Sequence, residues 1–126
     1  MTERRSVSSG AKWESIVGYS RAVRVGNIIC VAGTVGVASD GSVPSDAYLQ
    51  AKTALETIRR ALEELGAGLR DVVRTRMFVT DIGSFDEVAR AHGEAFGAVR
   101  PATTMVEVRR LVEPAYVVEI EADAVI

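Results

Sequence analysis

Apolar residues recur at helical spacing in two segments of the chain. Between residues 47 and 68 they lie three or four positions apart, at Ala51, Ala54, Leu55, Ile58, Leu62 and Leu65. This spacing predicts an amphipathic helix, which Ser45 or Asp46 can cap at its start and Gly66 can end. A second helix is predicted over residues 83–97, where Ser84 and Glu87 form a capping-box pattern and one face carries Phe85, Val88, His92, Ala95 and Phe96.

Segments rich in Val and Ile, or with alternating apolar and polar residues, predict five strands. The first two form a hairpin over residues 16–25 and 28–35, joined by a turn at Gly26 and Asn27. The others are predicted over residues 71–82, 102–109 and 116–125. The order strand, strand, helix, strand, helix, strand, strand predicts an α+β fold in which two helices pack on one face of a single mixed sheet.

Alternation along the strands predicts which side chains face the helices. On the last strand, Val118, Ile120, Ala122, Ala124 and Ile126 form an apolar row that should lie under the helices, and Glu119, Glu121 and Asp123 form an acidic row on the opposite face. The same alternation groups Arg74, Arg76 and Phe78 on one strand, and Met105, Glu107 and Arg109 on the next. If these rows share one face, that face is either a solvated surface with scattered ion pairs or a surface that closes against other subunits.

Composition and charge narrow the function classes. A chain of 126 residues with 48% hydrophobic and 25% charged residues is expected to form a single domain over residues 1–126, with residues 1–15 loosely ordered. Fifteen Lys and Arg against 17 Asp and Glu leave no excess positive charge for nucleic acid. Without a targeting segment or a long apolar run, the expected location is cytoplasmic, with no membrane partner. One cysteine, Cys30, and one histidine, His92, are too few for an internal zinc site, and both are expected in packing roles.

Five stretches of the sequence together resemble the YjgF/RidA family, the reactive intermediate deaminases formerly called L-PSP endoribonucleases. They are "GYSRAVRVGN", "RMFVTDIGSF", "AHGEAFG", "VRPATTMVEVRRL" and "VEIEADAVI". The resemblance runs from about Ile16 to Ile126 and is most specific in the strand pair "PATTMVEV" and "VEIEA". It implies a chorismate-mutase-like fold, a homotrimer whose sheets form the inner wall, and small-molecule sites in the clefts between subunits.

The resemblance also implies a chemistry and its residues. Members of the family with established activity hydrolyse enamines and imines to a 2-oxo acid and ammonia, without a metal or organic cofactor. By this resemblance, Glu119 positions or deprotonates the attacking water, Tyr19 helps to close the pocket, and Gly33 lets a ligand approach the backbone. From the residues alone, Glu119 could instead be a structural partner of Arg74, Arg76 or Arg109, and Gly33 could simply mark a bulge.

The chain departs from the deaminase pattern at one position. Thr103 stands where the deaminase members have an arginine that binds the substrate carboxylate, and Met105 stands where they have a cysteine. Both residues are expected to shape the substrate pocket or its rim; the alternative is that they serve only strand formation and packing. Arg21 shares Tyr19's side of its strand and is a candidate replacement for the arginine, with Arg76 a weaker one. Arg21 could instead serve only a surface or intersubunit ion pair. The expected function is a RidA-like hydrolase of a small reactive metabolite; the alternative is a non-catalytic trimer that binds a small metabolite or regulates a partner.

Overall fold

The computed structural model describes residues 3–126 as one six-stranded sheet with two main helices. The strands are β1 (Arg4–Val7), β2 (Ala22–Val25), β3 (Ile28–Val35), β4 (Val72–Val79), β5 (Ala102–Glu107) and β6 (Val118–Val125). The helices are α1 (Lys12–Val17), α2 (Ala47–Glu64) and α3 (Phe85–Phe96), with 3₁₀ turns at Leu69–Asp71 and Ile82–Ser84. This architecture confirms the predicted α+β fold with a mixed sheet.

The strand order across the sheet is β1-β2-β3-β6-β4-β5. Neighbouring strands are antiparallel except for β4 and β5, which are parallel because α3 carries the chain back between them. One face of the sheet packs under α2 and α3, and the buried apolar residues of both form the core. Within residues 3–126, no helix is long and apolar enough to cross a membrane.

The two main helices begin and end for different local reasons. The Asp46 side chain accepts a hydrogen bond from the Leu49 amide at 3.0 Å and caps α2, and Gly66 ends it with φ at +85°. The capping box predicted at Ser84 is wrong, because Ser84 has φ −84° and ψ 10° and its side chain makes no capping bond. Instead, Asp81 accepts from the Gly83 amide and caps the 3₁₀ turn that leads into α3.

The N-terminal segment is more regular than the sequence suggests. The expectation of loosely ordered residues 1–15 is corrected over residues 4–7 and 12–15, which lie in β1 and α1; residues 1–2 lie outside the described residues. β1 pairs with β2 and buries Val7. Ile16 and Val17 belong to α1 rather than to a strand, and they are 70% and 71% exposed. In the sequence, these two apolar residues come just before the Val-rich pattern of β2, so the pattern places them in that strand and not at the end of a short helix.

The two faces of the sheet follow the predicted alternation on β6 and β4. Val118, Ile120, Ala122 and Ala124 are buried, whereas Ile126 lies past the end of β6 and is exposed. On the helix-free face, Arg74 is in register with Asp123, Arg76 with Glu121, and Phe78 with Glu119. Cys30 also lies on this face, in register with Asp123, and it is exposed, so its expected burial is wrong.

The face assigned to β5 is wrong. The parallel register pairs Thr75 with Thr103, Met77 with Met105, and Val79 with Glu107. Because Thr75, Met77 and Val79 are buried on the helix side, Met105 and Glu107 share that side, and Arg109 lies beyond the strand. β5 mixes polar and apolar residues on both faces, so its own sequence did not determine which face meets the helices.

Candidate functional site

A cavity of about 900 Å³ opens beside the central strand β3. Its wall is built from the segment before α1, α1 itself, the residues between α1 and β2, β3, the C-terminal half of α2, the segment that leads into β6, and Glu119 of β6. The lining includes Trp13, Tyr19, Arg21, Gly33, Tyr116 and Glu119. The structure therefore brings together four of the predicted site residues, Tyr19, Arg21, Gly33 and Glu119, which are separated by up to 100 positions in the sequence.

An irregularity in β3 places Gly33 against Glu119. The pairing of β3 with β6 shifts between Val31 and Thr34, so that Ala32 and Gly33 form a bulge. A β-carbon at Gly33 would lie 3.0 Å from both Cδ and Oε2 of Glu119. Glycine at this position leaves the space that the carboxylate occupies.

Glu119 is the acidic residue of the β6 row that has no partner. Arg76 binds Glu121 at 3.2 Å and Asp123 at 3.4 Å, and within residues 3–126 no hydrogen bond or ion pair joins Glu119 to another side chain. Burial, and then the charge of Glu121, raise the pKa of the Glu119 carboxyl group, while Arg21 opposes the shift. A partly buried, unpaired carboxylate with a raised pKa is suited to accept a proton from water.

Arg21 lines the cavity, but its side chain is largely covered by neighbouring residues and is 6% exposed. Its guanidinium donates to the Gly33 carbonyl at 2.6 Å, to Thr34 Oγ1 at 2.9 Å and to Tyr19 Oη at 3.1 Å. A fourth bond reaches Ser9 Oγ at 3.3 Å. Arg21, which the sequence suggested as an anion-binding residue, therefore makes its hydrogen bonds with other residues of the protein. Because Tyr19 Oη accepts from Arg21, its own proton is available for a ligand in the cavity.

Glu14 on α1 balances the charge of Arg21. Its carboxylate lies 3.9 Å from the guanidinium and is 8% exposed. Burial acts to raise the pKa of Glu14, but hydrogen bonds from Ser9 and Ser8, with the charge of Arg21, lower it overall. Glu14 is therefore held ionised beside Arg21. The pair links α1 to the residue that precedes β2, and through the hydrogen bonds of Arg21 to β3.

Thr103 and Met105 lie elsewhere in the chain. β5 is an edge strand, separated from β6 by β4, and neither residue lines the cavity of its own chain. The Thr103 hydroxyl is 2.8 Å from Thr75 Oγ1, which is in turn 2.8 Å from His92 Nε2. Met105 is partly buried and packs against the core. His92 packs against Phe96, its ring 4.7 Å away, and burial lowers the His92 pKa.

The family model described as Endoribonuclease L-PSP matches residues 10–126. The chain belongs to the YjgF/RidA family.

Solved and curated relatives agree with this membership. A YjgF/YER057c/UK114 family protein from Mycobacterium tuberculosis is 51% identical, with a TM-score of 0.92 over 98% of this chain and 100% of that one. The YjgF protein of Escherichia coli is 32% identical, with a TM-score of 0.82 over 95% of this chain and 91% of its own. The 2-iminobutanoate/2-iminopropanoate deaminase of E. coli is 37% identical over 85% of this chain and 86% of that protein.

Some residues of the YjgF/RidA cavity were missed by sequence reasoning. Glu14 and Ser9 come from the segment expected to be loosely ordered, and no local pattern links them to Arg21, 7 and 12 positions away. Tyr116 and Val112 line the cavity from the irregular segment between β5 and β6. The sequence contains one indication of the Glu14–Arg21 pair. A carboxylate, Glu14, lies in a segment without a clear pattern, seven residues before an arginine at the start of a predicted strand.

Proposed function

We propose that the chain is a RidA-type hydrolase that converts a small imine, or its enamine tautomer, to a carbonyl compound and ammonia. The observation that carries the proposal is Glu119, a partly buried carboxylate that lines the cavity, lies against Gly33 and has no partner among the described residues. The 37% identity to the 2-iminobutanoate/2-iminopropanoate deaminase supports the same class of reaction.

Glu119 acts as the general base in this proposal. It accepts a proton from a water molecule as the water oxygen bonds to the imine carbon, and the C=N electron pair moves to nitrogen. The proton on Glu119 is then transferred to that nitrogen, which gives a protonated carbinolamine when the substrate is a protonated imine. The re-formed carboxylate accepts the carbinolamine hydroxyl proton as the C–N bond breaks, the carbonyl forms, and ammonia takes up this proton and leaves as ammonium. The Tyr19 hydroxyl donates a hydrogen bond to the oxygen of the carbinolamine. These steps use only water and side chains of the chain.

We propose further that the protein is a homotrimer whose subunits meet through the helix-free face of the sheet. That face carries paired charges, including Arg76 with Glu121 and Asp123, together with the exposed apolar side chains of Ile28, Val106 and Val125. Such a surface is suited to a subunit interface, where charges must be matched. In this arrangement Thr103 and Met105, on an edge strand, would border the cavity of a neighbouring subunit.

The function is tested by comparing Glu119→Gln with the wild type. An amino-acid or amine oxidase generates imines in the presence of semicarbazide, and suppression of semicarbazone formation reports hydrolysis by the protein. Loss of a general base is expected to reduce the rate at least about 100-fold. Glu63→Gln is the matched control, because Glu63 is an exposed carboxylate on α2 that pairs with Arg59 and does not line the cavity. Equal suppression by wild type and Glu119→Gln would contradict the proposal.

A second candidate function is a non-catalytic trimer that binds a small metabolite. The observation favouring it is Thr103, since a neutral hydroxyl replaces the arginine that binds substrate carboxylate in deaminase members of the family. This candidate predicts that ligand binding to the cavity persists while no imine is hydrolysed faster than in buffer. Calorimetric binding measured beside the semicarbazide assay separates the two functions.

A further inference from the structure

The charges at the reactive end of the cavity do not favour an anionic ligand. Arg21 is the cation next to Gly33 and Glu119, and its charge is matched by Glu14, 3.9 Å away and equally buried. Glu119 adds a negative charge, and Glu121 acts on it from the same face. Two buried charges of opposite sign and one unpaired carboxylate leave this end with a net negative charge when Glu119 is ionised.

The other cations of the lining lie at the periphery. Lys12 is 3.9 Å from Glu113 and stacks 4.6 Å from the Trp13 ring, and Arg60 is 3.5 Å from Glu56. Their side chains are 69% and 60% exposed, so solvent and salt screen them strongly. In the described part of the chain, no lining cation combines burial with freedom to pair with a ligand carboxylate.

Much of the remaining lining is apolar, and Glu64 adds a further carboxylate. Side chains that could contact a hydrophobic substituent are those of Trp13, Val17, Val35, Val37, Val112 and Tyr116. Near Glu119, the Tyr19 hydroxyl can donate a hydrogen bond to the neutral oxygen of the carbinolamine and of the carbonyl product.

We infer that the substrate is an imine or enamine that lacks a carboxylate and carries an apolar substituent, a product of the oxidation of a primary amine. The inference rests on the proposed function. The reaction is R–CH=NH₂⁺ + H₂O → R–CHO + NH₄⁺: a C–O bond forms, the C–N bond breaks, and the positive charge leaves on ammonium. The cationic iminium is attracted to the negative end of the cavity, whereas an α-carboxylate is repelled by Glu119. The Glu14–Arg21 pair is a specificity determinant, because Glu14 neutralises the positive charge of Arg21, the one buried arginine among the described residues.

The test compares two imines that differ only in the carboxylate. Oxidation of 2-phenylethylamine and of phenylalanine supplies the pair, and semicarbazide trapping measures hydrolysis of each. The wild type is expected to prefer the carboxylate-free imine in kcat/KM by about tenfold or more. Glu14→Gln, which leaves Arg21 without its counter-charge, is expected to reduce that preference several-fold. Glu63→Gln is the matched control, because it removes the same charge from the exposed outer surface of α2 and leaves the preference unchanged.

If Glu14→Gln does not fold, ligand binding to the wild type tests the same inference. 3-Phenylpropanamide is expected to bind about tenfold more tightly than 3-phenylpropanoate in calorimetry at low salt. Hydrolysis of both imines with a preference for the carboxylate would overturn the inference and leave the proposed function intact. Tighter binding of the amide without hydrolysis of either imine would overturn the proposed function and support the ligand class. Equal binding of both ligands, or binding of neither, would overturn the inference.

Discussion

The Glu119 carboxylate occupies the space that a side chain at Gly33 would need. A β-carbon there would lie 3.0 Å from Cδ and Oε2 of Glu119 and 3.3 Å from its Cγ. The bulge in β3 thus fixes the position of the carboxylate by close packing, while Arg76 is held by the neighbouring acids. An acid positioned by contact rather than by a cation keeps both oxygens available to water.

Gly33→Ala is expected to lower activity much more than stability. The clash is with the end of a flexible side chain, so Glu119 can rotate away, but its carboxylate then leaves the catalytic position. We expect kcat/KM to fall about tenfold or more, since small misplacements of a catalytic group are costly. Gly93→Ala is the control, because a β-carbon there meets nothing within 4 Å and alanine favours the helix by about 0.5–1 kcal/mol. Full activity in Gly33→Ala would show that the position of Glu119 is unimportant.

Gly36→Ala should have the opposite balance of effects. A β-carbon at Gly36 would overlap the carbonyl oxygen of Gln50 and lie 2.6 Å from its Cα, which are backbone atoms of α2. Because a helix backbone cannot rotate aside, α2 must move from the sheet. We expect the free energy of unfolding to fall by about 2–3 kcal/mol in urea denaturation. A variant as stable as the wild type would mean that α2 packs less closely on β3.

The raised pKa of Glu119 predicts a pH-dependent cost to stability. A carboxyl group whose pKa is higher in the folded than in the unfolded chain favours folding while it is protonated, and this contribution is lost as pH rises from 4.5 through the raised value. Glu119→Gln should therefore be more stable than the wild type at pH 8 and equally stable at pH 4. Urea unfolding at both pH values checks this. Glu63→Gln, which removes an exposed carboxylate on α2 that does not act on Glu119, should show no gain at pH 8.

Much of the fold followed from periodicity, and for a physical reason. α2 has apolar positions on one face only, and β6 alternates strictly between buried aliphatic and acidic residues, so burial fixed each orientation. α1 is too short to show a helical period, and β5 has no uniformly apolar face. At these two places the sequence alone led to wrong assignments.

The candidate site was predictable only in part. Tyr19, Gly33 and Glu119 were found through the resemblance, and the cavity brings them together. The role of Arg21 depended on Glu14, a partner in a segment without a clear pattern, so sequence spacing indicated a free cation where the structure has a paired one. Pairing between distant side chains is set by tertiary packing, which periodicity along one element does not encode.

Thr103→Arg tests whether β5 of one subunit serves the cavity of another. Thr103 is exposed on the edge strand and does not line its own chain's cavity, so an arginine there can assist catalysis only across a subunit interface. We expect the variant to gain at least about tenfold in kcat/KM for a carboxylate-bearing imine, because a guanidinium pairs with a carboxylate in a bidentate manner. Thr103→Gln, which is shorter and uncharged but can also donate hydrogen bonds, is the control and should gain little. If Thr103→Arg is folded and trimeric but gains no activity toward that imine, the edge of β5 does not border the cavity of a neighbour.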